Sequence, residues 1–238
     1  MTDSIRLSKR LIELLGCSRR EAELYIEGGW VTVDGNVIDE PQFQVHAETV
    51  ALLPGASATP LEPVTFLVYQ PAGITSLPDA DKHLLSRETH WAEDPSERPV
   101  LKGHFARLKP GLALQPGAEG LAVYSQDWRT LRKLTEDAAK LEQEYVVEVS
   151  GEIAQNGLER LKRGHTHKGQ TLPACKVSWQ NETRLRFAMK NPAPGIIQRL
   201  CESVGLKVVS MKRLRIGGVS MGKLPLGQWR YLSLQERF

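Results

Sequence analysis

Apolar positions at the start of the chain follow two different periods. Leu7, Leu11, Leu14 and Leu15 recur at helical spacing with Lys9, Arg10 and Glu13 opposite them, so Arg6–Leu15 is predicted as an amphipathic helix stopped by Gly16. Ser18 followed three residues later by Glu21 is a capping-box pattern, and it opens a second helix that runs to about Glu27 and closes at Gly28-Gly29. Val31-Thr32-Val33 and Asn36-Val37-Ile38 then flank Asp34-Gly35, the pair that suits a type I′ hairpin turn. Residues 1–50 therefore read as helix, helix, hairpin. Residues 51–63 carry the breakers Pro54, Gly55, Pro60 and Pro63 and read as a linker.

From residue 64 to 238 the pattern changes. Val64–Tyr69 reads as a buried strand, and the stretch from Leu77 to about Lys102, with Pro78, Pro95 and Pro99, as mostly loop. Asp127 caps a helix in which Leu131, Leu134, Ala138 and Leu141 keep helical spacing, and Tyr145–Val149 follows as a strand. Leu158–Arg163 and Gly195–Val204 read as helices, Cys175–Trp179 and Arg184–Ala188 as a strand pair, and Val208–Met211 as a further strand. Hairpins interrupted by helices, without regular βαβ alternation, predict an α+β domain on a mixed, mostly antiparallel sheet.

The composition, with 41% hydrophobic and 25% charged residues over 238 positions, is that of a folded chain without long disorder. No apolar run approaches the ~18 residues of a membrane span, and the charged N-terminus is not a signal peptide, so a cytoplasmic protein is expected. Cys17, Cys175 and Cys201 are few and far apart, as reduced thiols would be. His165-x-His167 lacks Cys or acidic neighbours for zinc and no glycine-rich phosphate loop occurs, so neither metal nor cofactor is expected. The net charge of +3 hides a segregation: residues 184–238 hold eleven Lys/Arg against two Asp/Glu. A basic end of this kind predicts a polyanion partner.

Several segments carry a resemblance. Arg6-Leu7-Ser8-Lys9-Arg10, Ser18-Arg19-Arg20 and Gly29-Trp30-Val31-Thr32-Val33-Asp34-Gly35 are similar to an S4 RNA-binding domain. Gln70-Pro71-Ala72-Gly73, Glu142-Gln143-Glu144-Tyr145-Val146-Val147, Arg215-Ile216-Gly217-Gly218-Val219 and Leu226-Gly227-Gln228-Trp229-Arg230-Tyr231-Leu232 resemble motifs of the RsuA-type RNA pseudouridine synthases. The resemblance implies an S4 domain joined to a synthase-type domain, a structured RNA as partner with ribosomal RNA foremost, and isomerisation of uridine as the family's chemistry. It implies Arg6, Lys9, Arg10, Arg19 and Arg20 as the S4 contacts to RNA; Lys212, Arg213 and Arg215 in the basic C-terminal segment are further candidates.

The family's essential aspartate lies in Gly-Arg-Leu-Asp-x-x-Thr/Ser-x-Gly-Leu. Anchored on Gly120-Leu121, that motif falls on Leu112–Leu121 and its aspartate position is Gln115; a gapped match through Arg107-Leu108 puts Lys109 there instead. By the same resemblance Tyr145 is the tyrosine that packs on the base, Gln198 is the position of the aspartate's basic partner, and Arg199 lies beside it. A lost acid together with a lost partner base implies an RNA-binding protein impaired in catalysis. A synthase using a displaced carboxylate, Glu119 or Asp127, and a ribosome-assembly adaptor are the alternatives. The expectation is that no carboxylate points into the cleft between Gln115, Tyr145 and Gln198.

Overall fold

A computed structural model describes residues 4–74 and 84–238. Residues 77–83 of the predicted loop lie outside the described residues. The chain divides into two compact units, one comprising residues up to Val64 together with Glu97–Leu108, the other Thr65–Ser96 together with Lys109–Phe238.

The first unit begins with β1 (Ile5–Arg6), α1 (Leu7–Leu15) and α2 (Arg19–Glu27), followed by β2 (Val31–Val33), β3 (Asn36–Val37), β4 (Gln44–Val45) and β5 (Val50–Leu52). Gly16 ends α1 in the left-handed region with φ 66°, and Ser18 and Glu21 form the reciprocal capping box at the start of α2. Asp34 and Gly35 both take positive φ, 47° and 80°, as the predicted hairpin turn requires. Leu7, Leu11, Ala22, Ile26, Val31, Val33 and Val45 form the core of this unit. Ala51 and Leu52, placed by composition in the linker, instead pair with Thr32 and Val31 as part of β5. That third strand covers the free edge of β2, a tertiary pairing that Pro- and Gly-rich neighbours hide from local reading.

The second unit carries β6 (Thr65–Gln70), β7 (Lys109–Pro110), β8 (Glu119–Ser125), α3 (Trp128–Thr135), β9 (Glu142–Ser150), α4 (Gly157–Arg163), β10 (His165–His167), β11 (Gln170–Leu172), β12 (Lys176–Trp179), β13 (Arg184–Lys190), α5 (Ile196–Ser203), β14 (Lys207–Ile216), β15 (Val219–Ser220) and β16 (Trp229–Tyr231). Its sheet runs β12-β13-β9-β14-β8-β6-β16, with β7 and β15 added on β8 and β14. Every strand pairing is antiparallel except β14 with β8, so the sheet is mixed and mostly antiparallel. The helix behind Asp127 is shorter than its apolar spacing predicts, ending at Thr135, and Ala138–Lys140 form a separate 3-10 turn. The segment around His165 and His167 is a hairpin, with His165 Nε2 2.9 Å from Ser203 Oγ. No described helix is long and apolar enough to cross a membrane.

Two apolar clusters form the core. One joins Leu161 of α4 and Ile197 and Leu200 of α5 to Val147, Leu185 and Phe187 of the sheet; the other joins Leu134 of α3 to Leu67, Leu121, Val123 and Ile216. The parallel pairing of β14 with β8 places Gly120 against Arg213. Gly120 has φ 117°, and an added Cβ would press on the Arg213 carbonyl oxygen and lie 2.6 Å from its nitrogen. Gly120→Ala should therefore cost several kcal/mol, roughly 3 or more, since both backbone strain and a backbone clash act together. Denaturant unfolding checks this against Gly117→Ala, where nothing lies within 4 Å of the added Cβ and only the positive φ opposes the change.

Candidate functional site

The loop between β7 and β8 forms one wall of a cleft of about 390 Å³. Gln70, Ile74, Gln115, Tyr124 and Pro194 contribute to its lining. Gln115 is 5% exposed. Its Nε2 donates to the Pro192 and Ala193 carbonyls, both at 3.1 Å, and its Oε1 accepts from Gly195 N at 2.9 Å. An amide supplies two donors and an acceptor, which is what these three backbone groups require. A carboxylate there would turn oxygens toward two carbonyl oxygens. Gln70 is satisfied similarly, accepting from Tyr124 OH at 2.7 Å and donating to Ile74 O at 2.8 Å. The described lining of the cleft contains no acidic or basic side chain.

Arg213 braces this loop from within the sheet. It is fully buried; Nε donates to Leu121 O at 2.8 Å, one terminal nitrogen to Leu112 O at 2.8 Å, and the other to Ala113 O at 2.8 Å and Gln143 Oε1 at 2.9 Å. The Tyr145 hydroxyl, 3.5 Å from the same nitrogen, itself donates to Gln143 Oε1 at 3.2 Å. Burial lowers the Arg213 pKa, opposed by Tyr145. Arginine still keeps its proton at neutral pH. Gln143 stands where the resembling motif has lysine; its oxygen receives the guanidinium, whereas an ammonium would add a second buried cation.

The predicted catalytic residues do not converge. Tyr145 is fully buried in the core cluster with Val147, Leu185 and Phe187 and is not among the residues that line the cleft. Gln198 and Arg199 lie on the exposed face of α5, where Gln198 Nε2 donates to Glu202 Oε1 at 3.0 Å and Arg199 donates to Pro194 O at 3.4 Å. It is the backbone before α5 that meets Gln115. Glu119 accepts from Tyr69 OH at 2.7 Å and pairs with Lys212 at 3.1 Å; Asp127 caps α3 through Arg129 N, Thr130 N and Thr130 Oγ1. Lys109 is exposed on β7. Among the described residues, no group of three or more His, Cys, Asp or Glu side chains is placed to hold a metal ion.

Several cations of the basic C-terminal segment have partners within the protein. Arg213 is sealed in the sheet, Lys212 is taken by Glu119, and Arg215 is held by Glu142 at 2.9 Å and Glu144 at 3.1 Å. Arg184, Arg186 and Arg230 pair with Glu148, Glu144 and Glu236. Burial opposes the charges of Glu144 and Lys212, but their partners prevail, lowering the pKa of the first and raising that of the second. Five of the eleven cations of residues 184–238 thus pair with carboxylates, whereas Lys190, Arg199, Lys207, Lys223 and Arg237 make no ion pair among the described residues. Arg6, Lys9, Arg19 and Arg20 are exposed on the first unit and Arg10 is half-buried.

Comparison with known proteins agrees with this layout. The S4 domain family matches residues 5–50. A relative from Aquifex aeolicus (strain VF5), named an uncharacterized RNA pseudouridine synthase, is 29% identical over 98% of this chain and 94% of its own length. The dual-specificity RNA pseudouridine synthase RluF of Escherichia coli (strain K12) is 28% identical over 98% of this chain and 77% of its own length. Over nearly its whole length the chain is thus similar to proteins named as RNA pseudouridine synthases, behind a segment that matches the S4 domain. Ribosomal large subunit pseudouridine synthase B of Bacillus subtilis (strain 168) is 26% identical over 97% of this chain and 93% of its own length. A crystal structure of a pseudouridylate synthase shares the fold, with a TM-score of 0.59 and 18% identity over 96% of both chains.

By the resemblance, Gln115 stands at the aspartate position of the RsuA-type motif. Gln115→Glu, nearly isosteric, should cost roughly 1–3 kcal/mol at pH 7, because two carbonyls lose their donor and face a charge. The folded-state pKa of the new acid should lie above the unfolded value of about 4.3, so the charge-dependent part of the deficit is absent below that pH and grows as pH rises through the folded pKa, while the loss of one of the two donors persists throughout. Unfolding of both proteins from pH 4 to 8 measures the difference. Equal stability at pH 7 would remove the clamp from the account.

Proposed function

We propose that the protein binds structured RNA, with ribosomal RNA the class to try first, and does so without isomerising uridine. The observation that carries this reading is Gln115, at the position of the family's aspartate, with its amide committed to Pro192, Ala193 and Gly195. Isomerisation must break the C1′–N1 bond of an extruded uridine and re-form it at C5, and in the family a carboxylate serves as the pivot. An amide of fixed orientation offers neither the charge nor the nucleophile. Glu119 and Asp127, the displaced carboxylates considered from sequence, already have other partners.

The RNA surface in this reading is Arg6, Lys9, Arg10, Arg19 and Arg20. Arg10 and Arg19 pair with Glu13 and Glu23 at 3.7 and 2.9 Å on α1 and α2. Exposed pairs of this kind are worth little and yield readily to phosphate. The relatives named as RNA pseudouridine synthases, one of them for the large ribosomal subunit, are the reason to begin with ribosomal RNA.

A salt titration of binding to ribosomal RNA fragments tests this. Replacing Arg6, Arg10, Arg19 and Arg20 by Ala should weaken binding and flatten the slope of log affinity against log salt by roughly 0.7–0.9 for each phosphate that is no longer neutralised. Lys212→Ala should leave the slope unchanged. Unaltered affinity and slope in the fourfold variant would place RNA binding elsewhere.

A further inference from the structure

Trp128 is the first residue of α3 and is 63% exposed. Tryptophan side chains, with a large apolar face, are characteristic of recognition surfaces. Its surroundings are cationic: the Arg129 guanidinium lies 5.6 Å from the indole centroid, and Arg132 and Lys133 are exposed on the next turn. Arg132 is held by Glu136, whereas Arg129, Lys133 and Lys109 make no ion pair among the described residues.

This helix face is tied to the cleft. Lys109 and Pro110 pair with Ser125 and Tyr124 at the end of the strand that leads into α3. Pro110 and Gly111 line the cleft, and Gly111 leaves space that Leu134 of α3 fills, since an added Cβ there would meet Leu134 Cδ1 at 2.7 Å. Leu134 lies about 9 Å along the helix from Trp128. An aromatic platform beside cations without ion-pair partners suits an unpaired base followed by its phosphates. A protein partner would be served by the indole but leaves the uncompensated cations without a role.

We infer that Trp128 stacks an unpaired RNA base while Arg129, Lys133 and Lys109 hold the adjoining phosphates; this rests on the RNA-binding reading above. The S4 surface would grip the RNA by charge, and this helix would favour RNA with exposed bases.

The test uses fluorescence anisotropy of the full protein with a labelled RNA hairpin whose loop is unpaired, and with a blunt duplex of the same stem. Trp128→Ala and Trp128→Leu should each lower hairpin affinity roughly tenfold, as loss of one stacked base implies, while Trp128→Phe stays within about threefold of the native protein. Duplex affinity should be the same in all four proteins. Thermal unfolding at the native midpoint confirms that the exposed substitutions leave the fold intact. Native-like hairpin binding by Trp128→Leu, or an equal loss on hairpin and duplex, overturns the inference and leaves Trp128 to a protein partner or to the surface. Failure of the native protein to bind either RNA would instead overturn the RNA-binding reading itself.

Discussion

Arg213 has three nitrogens to satisfy inside a sheet that admits no water to its side chain, and it satisfies them on Leu112, Ala113 and Leu121 carbonyls and on Gln143. Removing one partner from a buried guanidinium leaves a cost of several kcal/mol, on the order of 3–5 for a broken buried pair, so these acceptors must stay where they are. Two of them belong to the loop that carries Gln115. The parallel contact of β14 with β8, opened by Gly120, brings Arg213 into reach. The cleft wall is therefore set by a cation held on backbone oxygens, and Gln115 fastens that wall to the segment before α5.

The neutral side chains around this cation are consistent with one another. Gln70, Gln115 and Gln143 occupy positions where the family motifs have lysine, aspartate and lysine, and each uses its amide in ways a charged residue would not reproduce. Gln143 accepts from Arg213 and Tyr145, Gln115 both donates and accepts, and Gln70 bridges Tyr124 to Ile74. In a buried site, losing a negative and two positive charges together avoids the unpaired ions that any single loss would create.

Most of the fold was legible because it is locally encoded. The capping box at Ser18, the Asp34-Gly35 turn and the cap at Asp127 are short-range chemistry and appear as read. Gln115 was singled out by motif spacing. Its partners at Pro192, Ala193 and Gly195 were not, because contacts to backbone atoms nearly eighty residues away leave no mark on residue type. Arg213 and Arg215 show the same limit: two residues apart, they would share a face of a regular strand, but a bulge between them pairs Arg213 with Tyr145 and Arg215 with Glu144. One is buried and the other ends among surface carboxylates. The pairing of part of the basic stripe was likewise hidden, because strand register sets Glu119, Glu142, Glu144 and Glu148 beside Lys212, Arg215, Arg186 and Arg184.

The central claim is that a pocket built on the Gln115 amide has lost uridine isomerisation while the scaffold that held it is kept. Moving the glycosidic bond from N1 to C5 must expel the hydrogen on C5 to solvent, so ribosomal RNA carrying tritium at uridine C5 reports each turnover as tritium released to water. The account predicts release no faster than from RNA incubated without protein, even with protein in excess over RNA. Protein-dependent release above that background would contradict it.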